Sequence, residues 1–124
     1  MSGKNVLVIE DNAVNLKLLV RYLSAKGYKV VPAFNTQEAD AALSSDRPGL
    51  ALVDVSLPGE DGLAWVRRIR AAGEASLPMI ALTAHALPAD RDRALAAGCQ
   101  EFLTKPINLK ELLALTEKYI GPPG

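Results

Sequence analysis

The stretch Leu50-Ala51-Leu52-Val53-Asp54-Val55-Ser56-Leu57-Pro58 decides how this chain folds. Its apolar opening is too short for a helix and matches a strand buried on both faces, the kind found inside a parallel sheet. The run ends on one carboxylate, Asp54, and the turn-forming segment Pro58-Gly59-Glu60-Asp61-Gly62 follows at once. A buried strand therefore delivers a single acid to the rim of a sheet.

The same device recurs on either side. Val6-Leu7-Val8-Ile9 is another continuous apolar run and ends on Glu10-Asp11-Asn12. Met79-Ile80-Ala81-Leu82 ends on Thr83-Ala84-His85, and a short strand from Glu101 to Thr104 ends on Lys105-Pro106. Tyr28 to Ala33 is the second strand in chain order, which Pro32 assigns to a sheet edge because proline has no N–H for the ladder.

Helical patterns fill the gaps. One runs from about Ala13 to Lys26 and stops at Gly27, with Leu16, Leu19, Val20 and Leu23 on its core face. Asn35-Thr36-Gln37-Glu38 starts the next, with Glu38 placed to close a capping box and Ala39, Ala42 and Leu43 inward. A loop is expected over 44–49. A third helix spans about Leu63 to Ala72, with Leu63, Val66 and Ile69 inward and Trp65 nearer the outer side. Pro88 opens a charge-rich helix that Gly98 ends, and Asn108 caps a last helix from Leu109 to Tyr119. Gly121-Pro122-Pro123-Gly124 reads as a short tail.

Strands alternating with helices imply an α/β fold: a flavodoxin-like, doubly wound, five-stranded parallel sheet in the order 2-1-3-4-5, with five helices and right-handed crossovers. The 124 residues fit one domain, with a core over about 4–120 and a tail at 121–124. At this size folding buries roughly two-thirds of the unfolded surface, so no disulfide is required. The 14 basic and 14 acidic residues cancel, which offers no whole-molecule attraction to nucleic acid or to an anionic membrane. Cys99 has no second cysteine to pair with and is expected to be reduced and partly buried. With no signal-peptide pattern at the start and no apolar run of bilayer length, a cytoplasmic location is expected.

In sheets of this class, ligands bind outside the carboxyl ends of the strands. Glu10, Asp11, Asp54, Thr83 and Lys105 all fall there, converging from four separate strand ends. Clustered carboxylates repel one another unless a cation sits among them or one is protonated. Oxygen ligands without histidine favour Mg²⁺, or Mn²⁺, over zinc. Lys105 suits a phosphate oxygen as a compact charge, and the Thr83 hydroxyl can donate to another. Asp54 would then be a nucleophile forming an acyl phosphate, in a reaction governed by alignment and charge neutralisation.

On these residues the chain resembles the receiver domain of two-component response regulators along essentially its whole length. The acidic pair Glu10-Asp11, Asp54 with Leu57-Pro58 and Gly62, Thr83-Ala84, and Lys105-Pro106 agree with that family in order and spacing. Glu10-Asp11-Asn12 followed by Asn15 is similar to the subset found in hybrid-kinase receivers and in stand-alone regulators of the DivK type. The resemblance implies that Asp54 is phosphorylated by a histidine kinase or a histidine phosphotransferase. It implies that Glu10, Asp11, Asp54 and the backbone carbonyl of Ser56 hold Mg²⁺, and that Lys105 contacts the phosphoryl group. Thr83 and Phe102 would be the switch pair, altering partner affinity at the fourth helix, fifth strand and fifth helix. Ser56 and His85 would tune hydrolysis. The protein would catalyse only its own phosphorylation and dephosphorylation.

A second apolar stripe on the first helix, Val14, Leu18 and Tyr22, lies opposite the core face. It has two readings: partial burial under neighbouring loops, or docking of the bundle that presents the phosphohistidine. Output through a downstream protein target is expected, without nucleic acid or membrane, from a monomer or weak homodimer. Three competing functions stand beside the receiver reading. A phosphohydrolase with an Asp nucleophile needs a second acid two residues on, where Ser56 stands. An FMN carrier needs a phosphate loop where Glu10-Asp11-Asn12 stands. A docking module that is never phosphorylated would have no need of the full acidic set.

Overall fold

The computed structural model describes residues 5–85 and 87–123. The expectations for the first four residues and for Gly124 lie outside the described residues.

The apolar runs become parallel strands, and the helical patterns become the connections between them. The order is β1 (Asn5–Ile9), α1 (Ala13–Ala25), β2 (Lys29–Ala33), α2 (Thr36–Ser45), β3 (Leu50–Asp54), α3 (Gly62–Ala71), β4 (Met79–Thr83), α4 (Pro88–Ala97), β5 (Glu101–Thr104) and α5 (Leu109–Ile120). The sheet runs β2-β1-β3-β4-β5, with every pair parallel, as the flavodoxin-like reading requires. β2 is at the edge, where Pro32 needs no inward hydrogen bond.

Strand side chains alternate between faces, so a continuous apolar run supplies two cores at once. Leu7, Ile9, Ala51, Val53, Met79 and Ala81 meet α2, α3 and α4 on one face. Val6, Val8, Leu50, Leu52, Ile80 and Leu82 meet α1 and α5 on the other. Helix starts are fastened by side-chain caps: Asn12, Asn35, Asp61 and Asn108 each accept the backbone N–H three residues on, at 2.8–3.0 Å. Each cap contributes about 1 kcal/mol. No helix among the described residues is long and apolar enough to cross a membrane.

Three local expectations are corrected. Trp65 is not on an outer side; it is fully buried, and its indole N–H donates to Asp40 Oδ1 at 2.9 Å. α3 lies beside its neighbouring helices as well as on the sheet, so it buries more than one stripe. Glu38 closes no box onto its own cap residue; its Oε1 accepts the N–H of Phe34, one residue before the cap. α2 continues to Ser45, so the following loop starts at Asp46. Residues 121–123 follow α5 as a short non-helical tail that lies against the domain: the Tyr28 hydroxyl donates to the Gly121 carbonyl at 2.7 Å, and Pro123 packs against Gly27. A buried tyrosine needs a partner for its hydroxyl, and this carbonyl supplies it.

Candidate functional site

The strand ends bring the acids together. β1 and β3 are neighbours, with Ile9 opposite Val53, so the residues that follow, Glu10 and Asp54, share one edge of the sheet. Both are 1 % exposed, whereas Asp11 is exposed at the mouth. One carboxylate oxygen from each of Glu10, Asp11 and Asp54 lies within 4.8 Å of the others.

Lys105 reaches in from the end of β5. Its Nζ lies 3.1 Å from Asp54 Oδ2 and 3.0 Å from Glu10 Oε1. Asp54 Oδ1 accepts the Ser56 N–H at 3.0 Å, and Glu10 Oε2 accepts the Asn12 N–H at 3.2 Å. Glu10 Oε1 is buried and, despite its closeness to the ammonium, makes no aligned hydrogen bond. Burial pushes the Glu10 carboxyl up to about 7, helped by the hydrogen bond it shares with Asp54 and opposed by Lys105. Burial also acts to raise Asp54, but the hydrogen bonds from Glu10, from the Ser56 amide and from Lys105 outweigh it and hold that carboxyl below its ordinary value. The two carboxyls are thus shifted in opposite directions, Glu10 upward and Asp54 downward, and Asp54 is the more readily ionised, which is the form a nucleophile needs.

The donor set fits a hard divalent cation. It is all oxygen, it is anionic, and it includes a buried carboxylate oxygen with an unfilled hydrogen-bonding position. Glu10, Asp11 and Asp54 would hold such an ion. The loop after β3 returns tightly against the end of that strand, and Gly62 is what lets it do so. A Cβ at Gly62 would lie 2.1 Å from the Asp54 carbonyl oxygen. The Gly62 N–H donates to Val55, and the buried Leu57 fastens the near half of the loop.

The remaining sequence-derived residues occupy the rim or the faces beside it. Thr83 is buried at the end of β4, next to β3, and its hydroxyl is engaged with its own loop: it accepts the His85 N–H at 3.1 Å and lies 3.3 Å from the His85 carbonyl. His85 and Ser56 are exposed. Phe102 is half-buried on β5 and lines a groove of about 400 Å³ with Pro88, Arg91, Asp92 and Leu95 of α4. Val14 and Leu18 are 77 % and 51 % exposed, and Tyr22 is half-buried beneath the Lys26 ammonium. Val14 and Leu18 are therefore open to solvent, while Tyr22 is partly covered. Cys99 is buried, and burial pushes its thiol up to about 11, far from a reactive thiolate.

One feature had no sequence signal beyond apolarity. A cleft of about 390 Å³ runs between Leu18, Leu19, Pro106 and Ile107 and ends at Glu10 and Lys105. It connects the exposed stripe of α1 to the acidic pocket. The Lys105–Pro106 peptide bond at its edge is cis.

Comparison with known proteins agrees with this geometry. The family model of the response regulator receiver domain matches residues 6–117. The transcriptional regulatory protein PhoP of Escherichia coli K12 is 39 % identical over 109 residues, covering 88 % of this chain and 48 % of PhoP. The chain thus spans about half the length of the curated relatives it matches. The receiver domain of the sensor histidine kinase PA1611 from Pseudomonas aeruginosa PAO1 was crystallised with a magnesium ion coordinated in its active-site cleft. It superposes with a TM-score of 0.84 at 36 % identity, covering 96 % of this chain and 98 % of that one. The Saccharomyces cerevisiae co-crystal of the histidine phosphotransfer protein Ypd1 with the receiver domain of its downstream response regulator Ssk1 gives a TM-score of 0.87 at 30 % identity. That match covers 94 % of this chain and 88 % of that one. None of these matches carries the narrower DivK-like likeness.

Proposed function

Because the chain belongs to the response regulator receiver domain family, we propose that it is a phosphoacceptor: Asp54 takes a phosphoryl group from a phosphohistidine and changes the protein's contacts while it holds it. The observation that carries this reading is the packing of Glu10, Asp11 and Asp54 within 4.8 Å, with the Lys105 ammonium 3.1 Å from Asp54.

Asp54 attacks phosphorus with a carboxylate oxygen, the phosphorus–nitrogen bond to the donor imidazole breaks, and the imidazole leaves with the electron pair. When bound, Mg²⁺ (or Mn²⁺) at Glu10, Asp11, Asp54 and the Ser56 carbonyl supplies charge neutralisation for the phosphoryl oxygens. Lys105 already pairs with Asp54 and transfers that contact to the new phosphoryl oxygens. The Thr83 hydroxyl, which donates to the His85 carbonyl at 3.3 Å, turns that donation to a phosphoryl oxygen. Phe102 then repacks in its groove beside α4, which alters the surface offered to a downstream protein. Ser56 and His85, exposed at the rim, sit where they can bear on the approach of water to the acyl phosphate. The protein turns over only its own phosphoryl group.

The donor is a histidine kinase or a histidine phosphotransferase that docks on Val14, Leu18 and Tyr22. The exposure of that stripe and the cleft leading from Leu18 to Lys105 support this, as does the likeness to a receiver crystallised with a phosphotransfer protein.

The test is intact mass after incubation with a small phosphodonor, with and without Mg²⁺, on this protein and on Asp54→Asn. One added phosphoryl group that depends on Mg²⁺ and is missing from the variant is expected. A folded protein that never gains the adduct would instead be a docking module.

A further inference from the structure

The loop from Val55 to Asp61 has an unsupported apex. Ser56, Pro58 and Gly59 are exposed. Gly59 takes the left-handed region, with φ +76, and a Cβ there would meet nothing within 4 Å. Beyond the apex the loop is gripped once more, at Glu60. Arg68 of α3 donates to it as a fork, Nε to Oε2 and Nη2 to Oε1, both at 2.9 Å. The same guanidinium reaches across to α2, where Nη2 lies 3.0 Å from Asp40 Oδ2 and 3.2 Å from Oδ1. Asp40 is itself held by the indole N–H of the fully buried Trp65. A continuous line of directed bonds therefore runs from the core through Asp40 and Arg68 to the loop that follows Asp54.

We infer that Glu60, Arg68 and Asp40 form a clamp that positions this loop, and through it the Ser56 backbone against Asp54. The inference rests on the phosphoacceptor reading for its consequence and on geometry for its existence. Exposed single ion pairs contribute little to stability, and all three of these side chains are partly exposed. What the clamp has is direction: a planar fork on one carboxylate, and a shared contact with a second that is anchored to a buried ring. Its effect is on loop position, and global stability is nearly indifferent to it. Glu60, Arg68 and Asp40 are positioning residues; none of them touches the acidic pocket. The bonded line ends at Glu60; Ser56, whose N–H donates directly to Asp54 Oδ1, stands on the other side of the apex, and the backbone between them carries the effect.

The experiment compares Glu60→Ala, Glu60→Gln and Arg68→Lys with the unaltered protein. The readouts are amide exchange at Ser56 in the metal-free protein, the Mg²⁺ dissociation constant by calorimetry, and the melting temperature. Glu60→Ala should exchange Ser56 several-fold faster and weaken Mg²⁺ by about tenfold, the low end for groups that support a metal ligand. Its melting temperature should stay close to that of the parent. Glu60→Gln, which keeps acceptor and shape, should restore both readouts most of the way. Arg68→Lys, which keeps charge but loses the fork, should fall between. Unchanged Ser56 exchange in Glu60→Ala overturns the clamp, and so does a loss confined to melting temperature. Failure of the parent protein to bind Mg²⁺ would sink the phosphoacceptor reading, while the exchange readout still decides the clamp.

Discussion

The metal-free protein should lose stability as the pH rises from 5 to 8, and Glu10 should be the cause. Its carboxyl stands at about 7 in the folded chain against 4.5 when unperturbed, chiefly through burial. An acid raised by folding binds its proton more tightly in the native state. Its stabilising contribution is complete below pH 4.5 and disappears as the pH climbs through 7. Asp54 works in the opposite sense: its carboxyl is lowered from 3.8, so its contribution is present above that value and is lost only in stronger acid. Between pH 5 and 8 Asp54 is ionised in both states, which leaves Glu10 to set the slope. The gap from 4.5 to about 7, at about 1.4 kcal/mol per pH unit, amounts to about 3 kcal/mol. For a domain of this size that is about 10 °C in melting temperature. The assay is thermal unfolding followed by circular dichroism in a chelator, from pH 5 to pH 8. Glu10→Gln keeps the shape but cannot ionise, and it should flatten the profile and be the more stable protein at pH 8. Saturating Mg²⁺, which binds the ionised carboxylates, should abolish the fall in the parent. A flat parent profile, or a Gln variant with the same fall, would refute the reasoning.

Gly62→Ala must move either α3 or the end of β3, since its Cβ would sit 2.1 Å from the Asp54 carbonyl oxygen; a loss of about 1–3 kcal/mol in urea unfolding is expected. Lys105→Met removes the only ammonium within 4 Å of Asp54 and Glu10 among the described residues, and should slow phosphorylation by a small donor about a hundredfold, measured by time-resolved intact mass. Leu18→Asp changes an exposed residue, so stability should stay within about 0.5 kcal/mol while transfer from a phosphohistidine partner falls about tenfold or more; equal slowing with a small donor would point to a damaged fold. Replacing Ser56 and His85 together by alanine should change the decay rate of the Asp54 adduct, and an unchanged rate would remove them from a role in hydrolysis.

Much of the fold was determined locally. Apolar runs too short for a helix and bounded by turn residues read as strands buried on both sides. Strands connected by helices must run parallel, and parallel strands place all their carboxyl ends on one edge. That is why Glu10, Asp54, Thr83 and Lys105 could be assigned to a common rim from order and spacing alone. The asparagine and aspartate caps were legible for the same reason, because a cap satisfies N–H groups only three residues away.

What depended on lateral packing was not legible. Helical periodicity identifies one buried stripe, but α3 buries a second against its neighbours, and only the assembled layers put Trp65 inside, on Asp40. Gly62 could be read as a turn residue, whereas its real constraint is an oxygen eight residues back that only the folded loop brings within reach. The sequence by itself settled which groups meet at the rim, because chain direction in a parallel sheet leaves them no other place. Tertiary structure alone decided how they share charge: Lys105 lies between Glu10 and Asp54, burial raises the Glu10 carboxyl, and hydrogen bonds from Glu10, the Ser56 amide and Lys105 lower that of Asp54. Those outcomes turn on distances of a few ångströms and on the exclusion of water, and neither is written in the spacing of residues along a chain.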